Sequence, residues 1–170
     1  MHEPARMAPG ATLPELLISL AIAAVLAVAA WPVLRNLLAE QTAAHAADRL
    51  AASLALARTT AASRRTEVSL GPLAGASTLG GGWQLATSAA PPFFVAAVTD
   101  SCLRITLRGT AGEAGPQSLR LTPVGYSRSE QGGFFAATFQ VRCHDAQRQV
   151  RLGAQGRIRI CRPGVDVDCN

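Results

Sequence analysis

Lysine is absent from this sequence: all 16 basic residues are arginine, set against 11 acids for a formal net charge of +5. Glycine is absent from Ala11 to Arg65, an alanine-rich stretch that suits one long helix. Enzyme signatures are missing too. There is no G-x-S-x-G, no H-E-x-x-H and no phosphate loop. Of three histidines, only His144 falls in the body of the chain, and Ser127 and Ser129 near Glu130 read as a loop without a base beside them in sequence. No enzyme is expected. The cysteines Cys102, Cys143, Cys161 and Cys169 all fall in the last 70 residues and lack a C-x-x-C knuckle, which disfavours zinc on Cys143, His144, Cys161 and Cys169. Neither metal nor cofactor is expected. An even cysteine count suits one or two disulfides outside the cytoplasm, with three connectivities open.

What is present is uneven. From Leu16 to Leu34 the only polar side chain is Ser19, a run of 19 residues. About 20 apolar residues cross the hydrocarbon of a bilayer. Yet Glu15 stands at the front edge of this run, and Pro32 falls inside it, where it would break or kink a helix. An acid at the membrane is costly and calls for a partner. The order of parts is also unlike a secretory signal. The polar leader "MHEPARMAPG" precedes the apolar run, and no cleavage site of the A-x-A kind follows it.

The segment "G-A-T-L-P-E-L-L-I-S-L-A-I" resembles the class III leader of type IV pilins and type II secretion pseudopilins. The resemblance implies cleavage by a prepilin peptidase after Gly10 and methylation of the new N-terminus at Ala11. It also implies an assembly role for Glu15, whose carboxylate would pair with the N-terminal ammonium of a neighbouring subunit. A charge-assisted bond of this kind is strong when made in a low dielectric and costly when missing. Pro32 matches the helix-bending proline of the family. Ala11 stands where phenylalanine is usual, and Pro14 where a branched aliphatic is usual.

Beyond Pro32 the chain still reads helical to about Ser63, with Leu50, Leu54, Ala57 and Ala61 forming an apolar stripe that should lie on a sheet. After Arg65 the pattern changes to short strand-like runs: "TEVSL", "WQLAT", "FFVAAV", "CLRITLR", "SLRLT", "FFAATFQVR", "RQVRL" and "RIRIC". Gly/Pro/Ser loops separate them. A helix followed only by strands predicts an α+β fold with antiparallel sheets.

The last of these runs carry the charge. Between Arg142 and Arg162 there are six arginines and one acid, Asp145, so this stretch alone accounts for the net charge of the chain after Gly10. In "RQVRLGAQGRIRIC", alternation predicts Val150, Leu152, Ile158 and Ile160 inward and Arg151, Arg157 and Arg159 outward. Such a concentration suits a phosphate-binding surface, to which arginine's planar fork is well matched, and equally a solvated strand face in a composition that uses arginine in place of lysine. Aromatic residues are sparse nearby, so a nucleic acid bound here would be held by its backbone, with little sequence preference, rather than by base stacking.

The helix end "RLAASLALARTTAASRRTEVSL", the "GGGW", the "LTPVG" and the closing "GRIRIC" are similar to the GspH/FimT branch of the pilin superfamily. Its "G-R-x-R" resembles the C-terminal motif of FimT-type minor pilins, which bind DNA during natural transformation. This resemblance implies a pilin-like fold in which a long N-terminal transmembrane and amphipathic helix packs on antiparallel β-sheets. It divides the chain into a leader (1–10), a transmembrane and assembly helix (11–34), an amphipathic helix on the sheet (35–65) and a periplasmic β domain (66–170). Implied partners are the prepilin peptidase, other pilins or pseudopilins, the inner membrane and double-stranded DNA. The DNA contacts would come from Arg157 and Arg159, flanked by Arg151, Arg148 and Arg162. Two alternatives share the same leader: an H-type pseudopilin of a type II secretion system, and a structural minor pilin that binds no DNA.

Overall fold

The computed structural model describes residues 12–88, 90–109, 118–129 and 132–169. The expected cleavage point, Gly10 and Ala11, lies outside them. The chain divides into two compact units, Met1–Arg35 and Asn36–Asn170. A single helix, α1 (Leu13–Arg64), supplies the described part of the first and opens the second.

In the first unit the carbonyl of Thr12 accepts from the N–H groups of Glu15 and Leu16, at 3.1 and 3.2 Å. Glu15 thus sits in the first turn, where a negative charge faces the positive end of the helix dipole. Helix α1 is not broken at Pro32; the proline removes one backbone donor from it. Large apolar side chains from Leu13 to Leu34 are exposed along this segment, which is long and apolar enough to cross a membrane.

In the second unit α1 buries Ala39, Ala43, Ala46, Ala47, Leu50, Ser53, Leu54, Ala57 and Ala61. The expected stripe is all there, extended backwards by alanines that let the sheets approach closely. Arg65 takes a positive φ of 51°, and the Thr66 N–H returns to the carbonyl of Ala61 at 3.2 Å, closing the helix end.

Nine strands follow among the described residues: β1 (Val68–Pro72), β2 (Gly82–Thr87), β3 (Phe94–Ala97), β4 (Leu103–Gly109), β5 (Leu119–Leu121), β6 (Ser127–Arg128), β7 (Ala137–Cys143), β8 (Ala146–Leu152) and β9 (Ile158–Cys161). They form a five-stranded sheet, β3-β2-β1-β5-β6, and a four-stranded sheet, β4-β7-β8-β9. Every pairing between strands is antiparallel. The core joins the helix face to both sheets and includes Trp83 and Phe139, each fully buried. A buried indole N–H needs an acceptor. Trp83 donates to Ser53 Oγ at 2.9 Å, and Ser53 in turn donates to the Arg49 carbonyl at 2.8 Å.

All eight expected runs contain a strand, but three details differ. The segment around Ser127, read as loop, contains β6, and the Ser127 hydroxyl is buried and donates to the Phe135 carbonyl. The "FFAATFQVR" strand starts only at Ala137, leaving Phe134 exposed against Tyr126 with ring centroids 5.4 Å apart. Ile160, expected inward, is 43% exposed, because β9 is an edge strand with a neighbour on one side only.

Candidate nucleic-acid interface

The four-stranded sheet has an inner and an outer face, set by the pleat. Leu103, Ile105 and Leu107 of β4, Phe139 and Val141 of β7, and Val150 and Leu152 of β8 are buried on the inner face. The residues between them point outward. The registers assemble these into rows: Arg104 opposite Arg142 and Arg142 opposite Gln147; Thr106, Gln140 and Gln149; Arg108, Thr138, Arg151 and Arg159. No outward strand position on this sheet is acidic.

The predicted arginines do not all reach this face. Arg159 is exposed and lies directly opposite Arg151. Arg157 is exposed just before β9, and its carbonyl accepts from the Gly153 N–H at 2.8 Å. Arg151 is half-buried, and its guanidinium donates to the carbonyl of Cys169 at 3.1 Å. Arg162 is exposed at the start of the C-terminal loop, where its backbone N–H donates to the Asp166 carboxylate. Arg148 belongs to the other face. It lies opposite buried Val141, and its side chain, 11% exposed, donates to the Glu40 carboxylate of α1 at 2.6 Å. Alternation counted back from Val150 puts it there, so Arg148 serves the packing of helix on sheet.

The cysteines pair as Cys102–Cys143 and Cys161–Cys169. The first ties the start of β4 to the end of β7. The second holds the C-terminal loop beside Gln149 and Arg151 on the outer face. Cys102, Cys143 and His144 could bring ligand atoms within 4.8 Å of one another, but the disulfide uses both sulfurs. His144 occupies the tight turn between β7 and β8 with a φ of 51°.

Three motif segments meet behind the arginines. Arg58 of α1 donates to the Gly156 carbonyl at 3.1 Å, and Ser127 N–H donates to the Ala154 carbonyl at 2.9 Å. Gly156 has a φ of 78°, and a Cβ there would lie 2.2 Å from the Gly125 carbonyl oxygen. The "A-R" of the helix, the "LTPVG" turn and the "GAQG" turn thus form one contact that fixes where β9 begins. The glycine of "G-R-x-R" is required by this close approach.

Arg104, Arg108 and Arg142 also lie exposed on this face, beyond the arginines picked out in the sequence. The outward alternation in "CLRITLR" was visible, but not that β4 lies beside β7, some 30 residues away in sequence.

Comparison with known proteins adds the family. The model of the family described as "Type II transport protein GspH" matches residues 46–162. No curated protein matches the chain. Two crystal forms of the type IV minor pilin FimU from Pseudomonas aeruginosa PAO1 have a similar fold. One is 22% identical with a TM-score of 0.54, covering 72% of this chain and 87% of that one. The other is 22% identical with a TM-score of 0.50, covering 69% and 90%.

Proposed function

This chain belongs to the GspH family of type II transport proteins, and on that premise we propose that it is a minor pilin that binds duplex DNA for uptake in natural transformation. The observation that carries the reading is the outward pair Arg151–Arg159 with exposed Arg157 beside it, on a sheet face without acidic positions. Guanidinium groups held on a rigid strand offer bidentate donors to phosphate oxygens at little ordering cost. Contact of this kind reads the backbone rather than the bases.

The rest of the proposal follows the maturation of a pilin. A prepilin peptidase cuts after Gly10, Ala11 becomes the methylated N-terminus, and the segment 11–34 holds the chain in the inner membrane. The exposed apolar side chains of the first unit support that anchoring. Glu15, exposed at the helix start, then pairs with the N-terminal ammonium of the next subunit during assembly with other pilins. Two disulfides support a β domain in the periplasm or on the filament.

The experiment is allelic replacement with Arg157→Gln/Arg159→Gln. DNA uptake should fall while filaments still assemble. Unchanged uptake would contradict the reading. One observation favours a second reading: the family description concerns type II transport. In an H-type pseudopilin the same face would bind protein, and the double variant would impair secretion instead.

A further inference from the structure

We propose that the DNA-contacting surface extends across the outer face of the four-stranded sheet to β4 and β7, with Arg104, Arg108 and Arg142 as phosphate-binding residues in their own right. This inference rests on the DNA reading given above. It adds the strands β4 and β7 to the site and a geometry for the duplex.

The first argument is energetic. Like charges directly opposite one another across antiparallel strands destabilise a sheet. Arg104 and Arg142 are such a pair. Two arginines outside this face each meet a carboxylate: Arg120 has Glu67 at 3.3 Å and Arg148 has Glu40 at 2.6 Å. On the outer face the strand positions hold arginine, glutamine, threonine and Cys161, with no acid among them. The nearby acids stand in loops, Asp145 in the turn at the end of β7 and Asp166 in the C-terminal loop. Arg142 finds a neutral acceptor, Gln147 Oε1 at 3.3 Å. Arg104, Arg108 and Arg142 are all exposed. A surface that concentrates like charge at a cost to folding is complementary to a polyanion.

The second argument is spacing. Arg104 and Arg108 are four residues apart on one strand, which at the usual rise per residue separates their rows by about 13 Å. The major groove of B-form DNA is about 12 Å wide. One row, Arg104–Arg142, therefore matches one phosphate backbone, and the other, Arg108–Thr138–Arg151–Arg159, matches the backbone across the groove. Between the rows stand Thr106 and Gln140, uncharged groups able to hydrogen-bond, as suits residues facing a groove. The occupant this geometry fits is a duplex. A single strand would engage one row only.

The test uses the full chain in detergent micelles, a fluorescent duplex oligonucleotide and a salt series. The variants are Arg104→Gln/Arg108→Gln/Arg142→Gln and, separately, Arg157→Gln/Arg159→Gln. Each phosphate contact adds about 0.9 to the slope of log K against log salt. The triple variant should bind more weakly, with a slope shallower by up to about 3. Wild-type protein should prefer the duplex to a single strand of equal length. A triple variant with unchanged affinity and slope, beside a Arg157/Arg159 variant that has lost binding, would overturn the extended face and leave the DNA reading standing. Wild-type protein that binds no duplex at low salt would remove the DNA reading itself. Unfolding midpoints are measured alongside. Removing the Arg104–Arg142 repulsion should leave the midpoint unchanged or raised, and a lowered midpoint together with lost binding would assign these arginines to folding and overturn the inference.

Discussion

Arg148 of β8 reaches the Glu40 carboxylate of α1 at 2.6 Å, on the opposite face of the sheet from Arg151 and Arg159. The arginine is 11% exposed and the glutamate 42%, so water screens the pair from one side only. Arg148→Gln should lower unfolding free energy by about 1–2 kcal/mol, read as a shift in the urea midpoint, and leave DNA affinity unchanged. Loss of DNA binding by a stably folded Arg148→Gln variant would contradict this division of labour.

That division shows how far the sequence could be read. The α+β order, the buried helix stripe and the strand runs follow from local periodicity, and the structure has them. The inward position of Arg148 was legible as well, from its spacing to Val150, although charge concentration alone grouped it with its neighbours. Other features are not local. Two-residue β6 has no period to detect. The row Arg108–Thr138–Arg151–Arg159 requires knowing that β4 pairs with β7, and the disulfide pairing requires the fold. Likewise, the Cys169 carbonyl over Arg151 depends on where the C-terminal loop returns.

Gly156→Ala tests the contact among Arg58, Gly125 and Gly156. Its Cβ would meet the Gly125 carbonyl oxygen at 2.2 Å, on a backbone with a φ of 78°. A loss of about 2–3 kcal/mol is expected. Gly164, with a similar φ of 75° but nothing within 4 Å, should cost only about 1 kcal/mol when changed to alanine. Equal losses in thermal melts would mean that the close approach contributes nothing.

The two disulfides should differ in weight. Cys102–Cys143 closes a separation of 41 residues and Cys161–Cys169 one of 8. Chain-entropy arguments then assign about 4 kcal/mol to the first and about 2.5 kcal/mol to the second. Paired serine variants compared by chemical denaturation give the order; a larger loss for the short loop would reverse it.

Glu15→Ala should leave proteolytic maturation intact and reduce the amount of protein in sheared filaments. An immunoblot with normal mature product and undiminished filament protein would remove the assembly role of Glu15.

The most direct test of the central claim is equilibrium binding of duplex DNA to the full chain in detergent, across a salt series, beside Arg157→Gln/Arg159→Gln. The account predicts micromolar binding that weakens steeply with salt and is lost in the double variant. Folded wild-type protein that binds no DNA at low salt, or a double variant that binds as well as wild type, would contradict it.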